Sequence, residues 1–304
     1  MPTFNARCVV VGVDGSESGR SAAAWAAAEA ERRALDLRMV NVYAPPIELY
    51  PVPGAMTAQL SHAARAWATT MLFQIGRELG QLHPDLKIHT AVRHGHPVSV
   101  LEEESEHAVL TVVGAHGAYQ FSDALVGSVA ARIARRSHSP LVVIRTPPAD
   151  SAATGTGPII VGVDDSPLAQ AAIGFAFDEA ALRGTELIAV HSWDVEPLIR
   201  TMAAIPMPLQ LEAVADEELR LLTQQLAGWA DQFPDIRVQH TVATGHPVSA
   251  LIDKAASADA QLIVVGSRGR GGFAGLLLGS TSAALIAHAD CPVAIIRDHR
   301  ALHS

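Results

Sequence analysis

The stretch CVVVGVDGS occupies residues 8–16, and IIVGVDDS returns at 159–166. Each is a short apolar run with no polar face, ending in an aspartate and then a serine. Such a run suits a strand buried on both sides of a sheet. Asp14 and Ser16 can then cap the alanine-rich helix that follows, with Trp25 on its apolar side. Three more segments repeat in the same order. AVRHGHPVSVL (91–101) returns as TVATGHPVSAL (241–251), VLTVVGAHG (109–117) as QLIVVGSRG (261–269), and LVGSVAARIARRSHSPLVVIR (125–145) as LLGSTSAALIAHADCPVAIIR (277–297). A chance recurrence of a simple strand–helix pattern would not keep Asp, Gly-His-Pro and Gly-Ser in one order. The chain therefore reads as two homologous domains, 1–146 and 158–304. The stretch between them, 147–157, is rich in proline, glycine and small polar residues, as a linker should be.

Within the first domain the pattern predicts strands at Val9–Val13, Leu37–Val42, Leu86–Val92, Val109–Val113 and Leu141–Ile144, with a long helix over about 55–80. Pro97 falls in the first turn of a helix, where its missing N–H costs little. Gly127 and Ser128 open the last helix. Apolar strands alternating with helices imply a parallel sheet covered on both faces. Ligands of such sheets bind beyond the carboxyl ends of the strands, where the strand order reverses. Asp14, the Gly95-His96-Pro97 turn and Gly114 all follow strands, so all lie at that end, as do their second-half counterparts.

Composition narrows the class. The chain has 304 residues, 49% hydrophobic and 17% charged, which suits two globular domains rather than disorder. No apolar run reaches the roughly 18 residues needed to span a bilayer, so no membrane segment is expected. The N-terminus does not read as a signal peptide, and two cysteines cannot build a disulfide framework. These features point to the cytoplasm. A net charge of −9 argues against general nucleic-acid binding, which needs a basic face.

The strongest chemical signal is Gly266-x2-Gly269-x9-Gly279-Ser280-Thr281, matched in the first half by Gly114-x2-Gly117-x9-Gly127-Ser128. Glycine permits positive φ and lets a phosphate approach with no Cβ in the way. Exposed N–H groups of such a loop make an anion-binding concavity. The closing Gly-Ser falls at a helix N-terminus, where unpaired N–H groups also favour an anion. Glycine loops also merely turn chains, and the two aspartates also suit helix caps. Neither His94 nor His96 has the further ligands that a metal site needs.

With these residues the chain resembles the universal stress protein family in its tandem two-domain form. The VVGVD and IVGVD strand ends, the GHP turns, both glycine motifs and the closing strands SPLVVIR and CPVAIIR carry the likeness. It implies two tandem Rossmann-like domains of the HUP, UspA-type class, each a five-stranded parallel sheet with helices on both faces. The glycine pattern marks the family's ATP-binding members, so the resemblance implies ATP, with Mg2+. Asp14 and Asp164 would then meet the ribose, and Val42 and Ser192 the adenine through their backbone. Gly95 and Gly245 would permit the turn beside the base. Gly114, Gly117, Gly127 and Ser128 would hold one set of phosphates, and Gly266, Gly269, Gly279, Ser280 and Thr281 the other. In the family the last strands pair between domains, implying an intrachain pseudo-dimer, with a homodimer as a further step.

The halves are not equivalent. Arg268 and Arg270 can reach a triphosphate, whereas the first half offers His116 and Ala118, and Asp123 stands where the second has Gly275. The second site is expected to bind more tightly. No G-x-x-x-x-G-K-[ST] loop, obvious general base or adenylate-forming signature is present, and GRGGFA (269–274) follows the fourth strand rather than opening a dinucleotide-binding unit. A nucleotide-dependent regulator of an unknown protein partner, in stress or growth arrest, is thus favoured over an enzyme. A slow ATPase and a scaffold with a structural nucleotide are the alternatives.

Overall fold

A computed structural model describes residues 7–43, 54–117, 126–145, 156–193, 211–269 and 278–297. Contacts divide the chain into two compact units, Met1–Thr146 and Pro147–Ser304. The first runs β1 (Cys8–Gly12), α1 (Glu17–Arg32), β2 (Asp36–Tyr43), α2 (Gly54–Leu82), β3 (Ile88–His94), α3 (Pro97–Ser105), β4 (Ala108–Gly114), α4 (Ser128–Ile133) and β5 (Leu141–Ile144). The second runs β6 (Ile159–Val163), α5 (Ala169–Arg183), β7 (Leu187–Trp193), α6 (Leu211–Gln232), β8 (Val238–Thr244), α7 (Pro247–Ser257), β9 (Leu262–Gly266), α8 (Ser280–His288) and β10 (Val293–Ile296). Residue 270, and with it the Arg270 expectation, lies outside the described residues, as do residues 118, 123 and 275.

Both units are the α/β arrangement that the sequence implied. In the first the strand order is β3-β2-β1-β4-β5 and every described pairing is parallel. The second repeats it as β8-β7-β6-β9-β10. The chain steps outward from β1 to β3 and then back across β1 to β4. Right-handed crossovers therefore place α1 and α2 on one face and α3 and α4 on the other. Strands covered on both faces need apolar side chains throughout, and Val9, Val10 and Val11 are at most 1% exposed. Five alanines of α1, Ala22, Ala23, Ala26, Ala27 and Ala30, are fully buried and let that helix lie close to the sheet. They share the buried face with Ser18, Gly19 and Glu29, and Trp25 is only half-buried.

Local chemistry sets the element ends. Ser16 is the N-cap of α1, accepting the Gly19 N–H at 3.0 Å. Pro97 and Pro247 open α3 and α7. β3 begins two residues later than expected because the Leu86 N–H bonds back to the His83 carbonyl at 3.1 Å. Leu86 therefore closes the turn after α2 instead of joining the ladder. Cys8 is buried, and burial pushes its thiol up to about 11; the Cys291 thiol is pushed up to about 12 for the same reason. Both stay protonated and unreactive near neutrality.

In the first unit a buried carboxylate ties α3 to the sheet. Glu104 accepts from Arg38 of β2 (Nη2–Oε1 3.0 Å) and from Arg93 of β3 (2.7 Å). Burial works to raise its carboxyl, but the two guanidiniums outweigh it and hold the group below its ordinary value of 4.5. The resulting stability is complete above that ordinary value and is lost as pH falls through the lower folded one. We expect the denaturant midpoint of the first unit to fall with acid over that window, and Glu104→Gln to flatten that part of the profile. An unchanged profile in Glu104→Gln would remove the assignment.

Candidate functional site

In each unit the described residues that were singled out after strands, Asp14, Gly95 and Gly117 in the first and Asp164, Gly245 and Gly269 in the second, lie at the carboxyl edge of the sheet. In the first, the strands on either side of β1 are β2 and β4, so their loops part there and leave a crevice. Asp14 leaves β1 and turns back, its Oδ1 accepting the Ser16 N–H at 3.0 Å and the Ser16 hydroxyl at 2.6 Å. Its Oδ2 faces Gly117, where an added Cβ would stand 3.0 Å away. Gly127 folds back under the β4 loop, its N–H donating to the Ala115 carbonyl at 2.7 Å, and serves as N-cap of α4 ahead of Ser128. Val42, near the end of β2, pairs with Arg93 beside the turn at Gly95.

The second unit repeats this plan around β6, and here a cavity of about 350 Å³ opens. That volume lies within the range of small-molecule sites, about 300–1,000 Å³. Its polar wall carries Asp164, Ser192, Arg268, Ser280 and Thr281, with Gly266, Gly269 and Gly279 at the loop. Its apolar wall is Val163, Val190, Pro247, Leu251 and Leu278. Sequence reasoning missed this apolar wall. The two-residue period was the available signal, since Val190 and Ser192 share one face of β7. Gly245 does not line the cavity; Pro247 does.

Gly245 acts on the wall indirectly. With φ at 105° it adopts the left-handed turn that glycine tolerates, and Gly95 does the same at 142°. Each turn donates its glycine N–H to the last strand residue, Gly95 to Tyr43 at 3.1 Å and Gly245 to Trp193 at 3.0 Å. The Ser192 hydroxyl adds a bond to the Gly245 carbonyl at 2.6 Å, pinning the end of β7 to the turn. Val42 has no hydroxyl with which to do so.

The motif glycines are there for space rather than for φ. None of Gly114, Gly117, Gly127, Gly266, Gly269 and Gly279 has a positive φ. A Cβ on Gly269 would stand 2.6 Å from Asp164 Oδ2, and one on Gly279 would stand 3.4 Å from the Ser267 carbonyl. The carboxylate and the loop thus approach backbone to side chain. Gly114 answers to a different neighbour: its Cβ would meet Ser18 Oγ, with the Ser18 carbonyl carbon at 2.8 Å. The start of α1 is packed against the end of β4. The first glycine of the motif is a packing position, which sequence alone did not distinguish from a phosphate contact.

The donor-rich end of the cavity is the start of α8. Gly279 is its N-cap, no side chain caps it, and the Gly279 N–H is already used by the Ser267 carbonyl at 2.7 Å. The donors offered there among the described residues are the first-turn N–H groups after Gly279, with the Ser280 and Thr281 hydroxyls and the Arg268 guanidinium beside them. Ser282 is occupied elsewhere, its hydroxyl donating to the Gly266 carbonyl at 2.7 Å. Among the described residues no group of three or more His, Cys, Asp or Glu could hold a metal ion, and no helix is long and apolar enough to cross a membrane.

Known proteins match this arrangement. The pattern of the universal stress protein family fits residues 6–145 and again 155–297. Universal stress protein Rv2005c of Mycobacterium tuberculosis is 36% identical over 294 residues, covering 95% of this chain and 96% of that protein. Universal stress protein Rv1996 of the same organism is 34% identical, covering 95% and 94%. Among solved structures, a universal stress protein from Archaeoglobus fulgidus superposes with a TM-score of 0.69, covering 97% of this chain and 99% of that one; at 20% identity it speaks for the fold.

Proposed function

The chain belongs to the universal stress protein family, and from that premise and the geometry we propose that it binds ATP, one nucleotide per unit, as a nucleotide-dependent regulator. The observation that carries the reading is the second-unit cavity, whose lining offers, along the strand order β7, β6, β9, apolar side chains and Ser192, then the Asp164 carboxylate, then a cluster of anion donors. That order matches the order of an adenine nucleotide. The slot between Val190, Pro247 and Leu251 takes the base. Asp164 accepts hydrogen bonds from ribose hydroxyls. Arg268, the α8 amides and the Ser280 and Thr281 hydroxyls take the phosphates. Magnesium fits the donor set as a partner of the phosphates with hydroxyl oxygens, since such ions are bound mainly through substrate phosphate and water; it would supply charge neutralisation.

The second site binds more tightly in this reading. Arg268 lines the cavity, while His116 takes the matching place in the first unit. Among the described residues of the cavity wall there is no histidine or lysine to activate an attacking water, and Asp164 is engaged with the Ser166 N–H at 3.0 Å. The state with ATP bound then persists and can bias a protein partner. Turnover by the purified full chain tests this assignment of class. We expect ATP hydrolysis well under ~1 s⁻¹, below the usual enzyme range. Sustained turnover at or above that rate would make the protein an ATPase instead.

A further inference from the structure

The residue ahead of each aspartate assigned to the ribose is held by a side chain of the neighbouring strand, and the two units use different chemistry for it. In the first, Asn41 of β2 donates its Nδ2–H to the Val13 carbonyl at 2.8 Å. At the same place in β7 stands His191, whose Nδ1 lies 2.8 Å from the Val163 carbonyl. A carbonyl oxygen only accepts, so Nδ1 carries the hydrogen and the neutral ring keeps a bare lone pair at Nε2. That nitrogen is buried and has no hydrogen-bond partner among the described residues. What it faces is a carboxylate: Glu218 Oε2 of α6 stands 3.3 Å away. Two acceptors so placed repel, and a buried polar atom left unpaired costs free energy. One proton on Nε2 turns the same contact into a charged pair between β7 and α6. Asn41 has no such second state.

The contact reaches the site through the backbone. Val163 lines the cavity and immediately precedes Asp164, which lines it too. Val190 and Ser192, on either side of His191, form cavity wall on the opposite face of the strand. The ring therefore points away from the cavity, into the layer between the sheet and α6, and acts by fixing the strand ends. The other charges around it are engaged or turned elsewhere. On β8, His240 pairs with Ala189 one step back on the same face, and burial pushes its ring down from the ordinary 6.5. After β6, Asp164 accepts the Ser166 N–H and Asp165 the Gln225 amide of α6, both at 3.0 Å. One turn from Glu218 on α6 stand Val214, Ala215, Leu221 and Leu222, none charged, and Glu217 is taken by Arg220 at 2.7 Å. The first turns of α5, residues 169–173, carry no charge. Helix α7, with Asp253 and Lys254, covers the cavity face through Leu251.

We propose that His191 and Glu218 form a proton-sensitive clamp on the second nucleotide site. With the proton in place, α6 is tied to β7 and the ring holds Val163, so Asp164 is set for the ribose. Without it the two acceptors part and the hold on Val163 weakens. The ATP affinity of the second site then falls as pH rises across the range in which imidazole loses its charge, about pH 5–8. His191 is a positioning residue and touches no nucleotide. This rests on the ATP reading above and adds a regulation to that site; the first unit, built on Asn41, has no such clamp.

The second site is read alone in the full chain carrying Gly117→Asp, by calorimetric titration with ATP and saturating magnesium at about pH 5.5 and about pH 8. The same titrations are made after adding His191→Asn, which rebuilds the first unit's bond to the carbonyl without the proton, or Glu218→Gln. ATP's own ionisation affects all three chains alike, so the differences between them are the result. From the lower to the higher pH, the Gly117→Asp chain should lose at least about fivefold more affinity than either double variant, the low end of coupling between linked sites. Glu218 has a partly exposed side chain, so Glu218→Gln decides the matter if His191→Asn does not fold. An excess loss that survives either substitution, or that never appears in the Gly117→Asp chain, overturns the proposal and leaves the ATP reading standing. A Gly117→Asp chain that takes up no ATP at either pH defeats the second-site reading itself, and this inference with it.

Discussion

Gly269→Asp is expected to abolish tight ATP binding while leaving the weaker phase in place. A Cβ at Gly269 would stand 2.6 Å from Asp164 Oδ2, so any side chain there displaces the carboxylate assigned to the ribose. Aspartate adds a second negative charge against both Asp164 and the phosphates. At an effective dielectric near 20, one such repulsion at 4 Å is worth ~4 kcal/mol. Part of it will be relieved by movement, and a loss of ~100-fold or more, about 3 kcal/mol, should remain. Gly117→Asp is the partner experiment, since a Cβ there would stand 3.0 Å from Asp14 Oδ2. It should remove the weak phase. The retained phase in each variant also reports that the chain has folded. If Gly269→Asp spares the tight phase and Gly117→Asp removes it, the ranking of the two sites is reversed.

Gly114→Ala should destabilise the first unit far more than Gly266→Ala destabilises the second, although the two occupy the same motif position. At Gly114 the new methyl would meet the Ser18 hydroxyl and, at 2.8 and 2.9 Å, the backbone carbon and oxygen of Ser18. Backbone cannot rotate aside, so α1 must move off β4. Overpacking of this kind costs ~1–3 kcal/mol. For a unit of this size, ~2 kcal/mol lowers the unfolding midpoint by about 4–8 °C. At Gly266 the nearest atoms are Leu168 Cβ at 3.1 Å and the Arg268 carbonyl oxygen at 3.3 Å, contacts that a few tenths of an ångström relieve. The loss there should stay below ~1 kcal/mol. Calorimetric scans of both variants without nucleotide decide it, and equal falls would show that the closer approach of α1 is not what fixes Gly114.

The duplicated pattern made much of this legible beforehand. An apolar strand buried on both faces admits few alternatives, and Leu141–Ile144 is found where expected. The turns at Gly95 and Gly245 were marked by a glycine before His-Pro, and both have positive φ. What could not be read was why a glycine stands where it does. Gly114 and Gly269 look alike in sequence, but one makes room for a helix backbone and the other for a carboxylate. That distinction depends on neighbours far along the chain, Ser18 and Asp164, which no local pattern identifies. The start of α5 was hidden for a similar reason. Ser166-Pro167 has good capping chemistry, yet a short turn from the Ala169 N–H to the Ser166 carbonyl intervenes and the helix starts after Leu168. Even the apolar wall needed the fold, since Val190 and Leu251 meet only once β7 and α7 are placed.

ATP binding by this chain is the property on which the rest depends. It is tested most directly by denaturing the freshly purified protein and identifying by mass what it releases, before and after incubation with millimolar ATP and magnesium. ATP is the expected release, at least one per chain after loading and approaching two at saturation. A chain that releases no nucleotide and takes none up under those conditions would contradict it.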